Sequence, residues 1–224
     1  MLKNLLTQNI ANAGIRWGLT GTVPKSAFES EPIFASIGPV VGGIKAHELQ
    51  EMGILSNLHV NIMQLIDIPE FKTYKDENKY LVTDKDRLSY ISTLVREISE
   101  TGNTLVLVNR IETGKQLQEY LKDLDVAFIS GAVKGKDRKD DYDDFKTSNS
   151  KISIATFGVA AVGINIPRIY NLVLFEPGKS FVRVIQSIGR GVRKADDKDF
   201  VDVWDITSTC KFAKKHLTER KRYY

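Results

Sequence analysis

From residue 104 onward the chain returns five times to a short, largely apolar run, at 104–108, 126–129, 152–155, 172–175 and 200–206. A strand with no clean alternation of polar and apolar residues must be buried on both faces. Strands of that kind belong to parallel sheets covered by helices. The stretches between and before the runs supply the helices. Leu88, Ile91, Leu94, Val95 and Ile98 fall on one helical face that Gly102 closes, and Leu117, Tyr120, Leu121 and Leu124 repeat the same i, i+3, i+4, i+7 spacing. Residues 136–146 carry dense mixed charge with Tyr142 and Phe145 turned inward, which reads as a further helix with a solvated face. Strands alternating with helices make βαβ units, so the expected fold is α/β with a parallel sheet.

Composition narrows the function classes. Hydrophobic residues make up 42% and charged residues 27%, as in ordinary soluble globular proteins. No apolar run approaches the roughly 18 residues needed to cross a bilayer, and the first six residues are too few and too polar for a secretory signal. No membrane partner is expected. The single cysteine, Cys210, excludes an intramolecular disulfide and a cysteine-rich metal site. His47, His59 and His216 lack ligand spacing, so no metal site is expected either. The net charge of +4 is a mild excess. It concentrates near the end, where Lys211, Lys214, Lys215, Arg220, Lys221 and Arg222 face only Glu219 between 211 and 222. Such a basic helix suits a phosphate backbone, and equally suits a solvated terminus.

The stretch Gln186-Ser187-Ile188-Gly189-Arg190-Gly191-Val192-Arg193 stands apart. On a helix Gln186, Arg190 and Arg193 lie at i, i+4 and i+7 and form one stripe. Two arginine forks beside an amide suit the oxygens of a polyphosphate. Gly189 and Gly191 each cost a helix about 1 kcal/mol, which suggests a close approach or a bend there. Another candidate, Thr156, ends the strand run at 152–155. The carboxyl ends of parallel strands are where open α/β sheets bind ligands. Thr20, Gly21 and Thr22 end a shorter mixed run near the N-terminus, where Val23-Pro24 closes the strand.

Taken together, and in this order, these segments resemble the signature motifs of superfamily 2 helicases. The stretch from Gln186 to Arg193 is similar to the family's last motif, Gln-x-x-Gly-Arg-x-x-Arg, and residues 154–167 to the motif before it. Asn109-Arg110, Ser130-Gly131 and Thr20-Gly21-Thr22 match further positions. The resemblance implies a RecA-like helicase C-terminal domain of the P-loop NTPase type, with a partial first domain at the N-terminus. The nearest-looking members are the UvsW-type phage helicases and the excision-repair helicases, within the broader DEAD/DEAH-like group. It also implies roles: Arg190 and Arg193, with Gln186, as catalytic fingers; Gly163, Asn165 and Gly189 at the nucleotide; Thr156, Asn109, Arg110 and Gly131 on nucleic acid; and Thr20, Gly21 and Thr22 coupling the two. Asn165 stands where the family has aspartate, keeping an acceptor without the charge.

The parts that hold ATP and Mg²⁺ in such motors are not found in the sequence. A phosphate-cradling loop needs Gly-x-x-x-x-Gly-Lys-Ser/Thr. At Gly178-Lys179-Ser180 the first glycine of that pattern would fall on Val173, and no strand precedes Asp76-Glu77-Asn78-Lys79. The expected organisation is a remnant of a first domain and a crossing segment over 1–68, a polar linker or insertion over 69–86, the second domain over 87–206 and a basic helix over 207–224. The expected protein is a monomeric, cytoplasmic ATP-dependent motor half acting on DNA, or on RNA, in a bacterial or phage-infected cell. It would use ATP and Mg²⁺ only together with its first domain. The alternative is a non-catalytic nucleic-acid- or protein-binding module of the same fold. A free-standing doubly wound cofactor enzyme is disfavoured by the lack of Gly-x-Gly-x-x-Gly after the first strand.

Overall fold

The computed structural model describes residues 12–20, 27–44, 48, 51–52, 57–129, 148–161, 168–178, 200–222 and 224. The chain divides into two compact units, Met1–Leu49 and Gln50–Tyr224.

In the first unit, helix α1 spans Ala27–Ile37 with Pro32 inside it. Proline leaves the helix short of one backbone donor. Ser36 donates its hydroxyl to the Pro32 carbonyl at 2.7 Å, and Gly38, at φ 114°, closes the helix by donating to the Phe34 carbonyl. The extended residues before it are held by Arg16, which donates to the Ser36 carbonyl at 3.0 Å. Ile15, Trp17 and Leu19 remain 77%, 81% and 95% exposed. Apolar burial therefore does not hold that segment.

The second unit is built on one sheet. Its strands are β1 (Asn57–Leu65), β2 (Thr104–Val108), β3 (Val126–Ile129), β4 (Ile152–Thr156), β5 (Asn171–Phe175) and β6 (Phe200–Ser208), in the order β1-β6-β5-β2-β4-β3 and all parallel. Helices α2 (Tyr74–Thr83), α3 (Lys85–Ser99), α4 (Ile111–Tyr120), α5 (Phe157–Ala161) and α6 (Lys211–Arg220) complete the described elements. The central strands β2 and β5 are buried at every residue, as their unbroken apolar runs require. Successive side chains serve opposite faces. Leu105, Leu107, Leu172 and Leu174 join one core cluster. Val106, Val108, Val173 and Phe175 join the other, beneath Leu88, Ile91 and Val95 of α3 and Leu117 of α4.

The structure departs from the sequence expectation in three places. Within 1–68, expected as a domain remnant and crossing segment, Asn57–Leu65 pairs with β6 along its whole length and makes a sixth strand of the sheet. Its half-exposed alternation marks an edge, and only the partner strand, far away in sequence, places it there. The polar stretch 69–86 contains a helix, α2, capped by the Thr73 hydroxyl on the Asp76 amide. The basic terminal helix is not wholly solvated. Ala213, His216, Leu217 and Arg220 of α6 are buried. The charged helix expected at 136–146 lies outside the described residues.

Candidate nucleic-acid interface

Because every strand runs the same way, all carboxyl ends open on one edge of the sheet. The strand order turns around β2: β3 and β4 lie on one side of it, β5 and β6 on the other. A crevice at such a reversal is where α/β sheets take ligands. Three expected residues are brought together there. Thr156, the last residue of β4, is the register partner of Val108, the last residue of β2, and Asn109 and Arg110 follow directly. Asn109 is exposed; Arg110 and Thr156 are half-buried. Arg110 is the N-cap of α4 with extended backbone and no side-chain capping bond, so the first amides of that helix keep their donors for a ligand or water. Thr20 lies in the first unit and is exposed. Gln186, Arg190, Arg193, Gly163, Asn165, Gly189, Gly131, Gly21 and Thr22 lie outside the described residues.

Behind this edge sits a charged group that the motif search passed over. The amide of Asn109 donates to the backbone carbonyl of Glu176, the residue immediately after β5. Glu176 has φ 46°, a left-handed backbone that is uncommon outside glycine, and its own amide donates to the Ile206 carbonyl at 3.1 Å. Its buried carboxylate accepts from Arg87 Nη2 at 2.6 Å and from the Thr207 hydroxyl at 3.4 Å. Arg87 also donates to the Leu81 carbonyl at 2.7 Å and to Asp67 Oδ2 at 3.3 Å, while its guanidinium lies 5.6 Å from the Phe175 ring centre. Burial outweighs the pull of Arg87 and Arg220 and pushes the Glu176 carboxyl up to about 7. Burial, then the nearby Glu176, raises the Tyr74 hydroxyl, against the opposing charge of Arg110. The signal in the sequence was a charged residue inside an apolar helical stripe, Arg87 beside Leu88, and an acid at the end of an unbroken apolar strand.

The rejected motifs have structural work. Glu77 is buried, and its carboxylate accepts from the Phe212 and Ala213 amides at 3.0 and 2.7 Å. It caps α6, whose own N-cap residue Cys210 makes no side-chain capping bond. The Gly178 carbonyl accepts from Arg220 Nη1 at 3.0 Å. Among the described residues no cluster of three His, Cys, Asp or Glu could hold a metal ion, and no helix is long and apolar enough to cross a membrane. The edge therefore offers hydrogen-bond donors and a cation, which suits phosphate oxygens.

Comparison with known proteins bears on the fold. The family model of the helicase conserved C-terminal domain matches residues 86–195. Residues 86–195 thus carry a helicase conserved C-terminal domain. The chain is 24% identical, over 97% of its length, to the ATP-dependent DNA helicase uvsW of Enterobacteria phage T4, and spans 45% of that relative. The chain thus covers less than half of the curated helicase it matches. The crystal structure of T4 UvsW superposes on 75% of this chain, and on 39% of its own, with a TM-score of 0.65 at 24% identity. The C-terminal domain of the DEAD-box protein Dbp5 covers 77% of the chain, and 87% of its own, with a TM-score of 0.52 at 19% identity. At these identities the structural likeness establishes the fold, that of RecA-like helicase C-terminal domains.

Proposed function

We propose that the chain is the C-terminal motor half of an ATP-dependent superfamily 2 DNA helicase or translocase, working in DNA repair or recombination. The observation that carries this reading is the meeting of Thr156, Asn109 and Arg110 at the carboxyl edge of the helicase domain's sheet, where it reverses around β2. A hydroxyl, an amide, a guanidinium and the open amides of α4 can follow a phosphodiester strand without reading its bases. Gly131 belongs to the same nucleic-acid contact. Arg190 and Arg193, with Gln186, act as fingers on the γ-phosphate of an ATP held with Mg²⁺ by an upstream RecA-like domain. Gly163, Asn165 and Gly189 line the nucleotide side, and Thr20, Gly21 and Thr22 couple the two sites. The exposed Ile15, Trp17 and Leu19 fit a segment that pairs with such a domain. Fingers of this kind raise turnover by about 10³- to 10⁵-fold by meeting charge that develops in the transition state.

The test is ATP hydrolysis with and without single-stranded and forked DNA, on this chain and on a form joined to an upstream phosphate-binding domain. Turnover is expected only from the joined form, with Arg190→Ala or Arg193→Ala abolishing it. Equal inactivity of the joined form, with tight DNA binding by this chain, would assign it instead to a non-catalytic binding module.

A further inference from the structure

The terminal helix α6 has two faces of opposite character. One carries Ala213, His216, Leu217 and Arg220, all buried. Glu77 fixes its start and Arg220 its end, through Asp205, which is fully buried. The other face carries Lys211, Lys214 and Lys215, and Lys221 and Arg222 follow directly after the last helical residue, all exposed. At about 100° per residue the three helical lysines fall within about 100° of the helix circumference, with Thr218 among them and no acid. Glu219 lies at the margin and is half-buried. Among the described residues Lys214, Lys215, Lys221 and Arg222 form no ion pair, whereas Lys122 and Arg96 elsewhere on the surface pair with Glu119 and Asp123. Intrahelical pairing, the usual way to stabilise a solvated charged helix, is not used here. A helix clamped on one side, with repelling like charges held in a row on the other, is arranged for a polyanion.

We infer that the α6 stripe is a second nucleic-acid contact, gripping the phosphate backbone of the DNA engaged by the helicase domain and sequence-independent in character. The choice of nucleic acid as the polyanion rests on the motor-half reading; the stripe itself does not. Its lysines are on long side chains that reach phosphate as point charges. Each neutralised phosphate should release counterions and steepen the salt dependence of binding by about 0.7 for a single strand.

The test uses the full chain with a labelled 20-nucleotide single strand, the corresponding duplex, and phosphatidylserine vesicles, over a range of salt concentrations. The stripe variant is Lys214→Gln/Lys215→Gln/Lys221→Gln, which leaves Lys211 over the Phe212 ring. The control, Lys72→Gln/Lys115→Gln/Lys122→Gln, removes the same charge from exposed positions off α6. Circular dichroism and urea unfolding verify that both fold. The stripe variant is expected to bind the single strand about tenfold or more weakly near 0.1 M salt, with the slope of log K against log salt reduced by about two. The control should change affinity less than about threefold. Equal losses in both variants, an unchanged stripe variant, or a loss confined to vesicle binding would each overturn the inference. The motor-half reading fails separately, on ATP turnover in the joined form, so the two outcomes are distinguishable.

Discussion

At the scale of single residues, Glu176 has the sharpest consequence. Its carboxyl moves from an ordinary 4.5 to about 7 because burial penalises the charged form more than Arg87 and Arg220 favour it. The folded chain then holds a proton on Glu176 that the unfolded chain has released, between pH 4.5 and 7. Folding stability contributed by this group is therefore fully present below 4.5, declines as pH rises through that window, and is flat above about 7. A shift of this size corresponds to roughly 3 kcal/mol. Urea unfolding of the wild type and Glu176→Gln from pH 4.5 to 8 should show the wild type losing stability relative to the variant as pH rises. A constant difference across that range would mean the carboxyl titrates at its ordinary value. Neither Glu176 nor its partner Arg87 is marked by a motif. Their pairing across 89 positions in sequence exists only because β5 and α3 meet, so spacing rules could not find it.

At the scale of elements, α6 is attached through polar groups rather than a large apolar face. Arg220 donates twice to Asp205, from Nε at 2.8 Å and Nη2 at 2.9 Å, and Tyr224 donates its hydroxyl to the same carboxylate. Both charges of the pair are almost wholly buried. Removing one partner leaves the other uncompensated in a low-dielectric site, which costs about 3–5 kcal/mol, whereas replacing both with apolar residues costs much less. Arg220→Ala should accordingly lower the urea midpoint far more than Asp205→Leu/Arg220→Met. If the double change is as damaging as the single one, the packing of the long side chain, and not the charge pair, holds the helix. The charge count at 211–222 marked this element as a basic helix. Which of its cations turns inward was decided by the buried acid on β6.

At the scale of the whole molecule, the sheet needs both ends of the sequence that flank the family-matched region. β1 pairs with β6 over nine residues, and α6 neutralises Asp205 beneath the sheet. A fragment of residues 87–206, the second domain as the sequence alone delimits it, would leave the β6 edge open and an unpaired acid in the core. Open edges of that length invite association. The fragment 50–224 is expected to unfold in one cooperative urea transition and elute as one species, whereas 87–206 should aggregate or lack a cooperative transition. A soluble, cooperative 87–206 would show that β1 and α6 are accessories. What the sequence determined by itself was local: unbroken apolar runs make doubly buried strands, their alternation with amphipathic stripes makes the sheet parallel, and strand-end residues such as Thr156 and Asn109 must then share one edge. What only the tertiary structure decided was long-range: the sixth strand at the edge, the Glu77 cap on α6, and the Arg87–Glu176 and Arg220–Asp205 pairs. Each of these joins residues whose local sequence is satisfied in several ways. The hydrogen bond or charge that selects one of them comes from a distant segment, and so leaves no periodic trace.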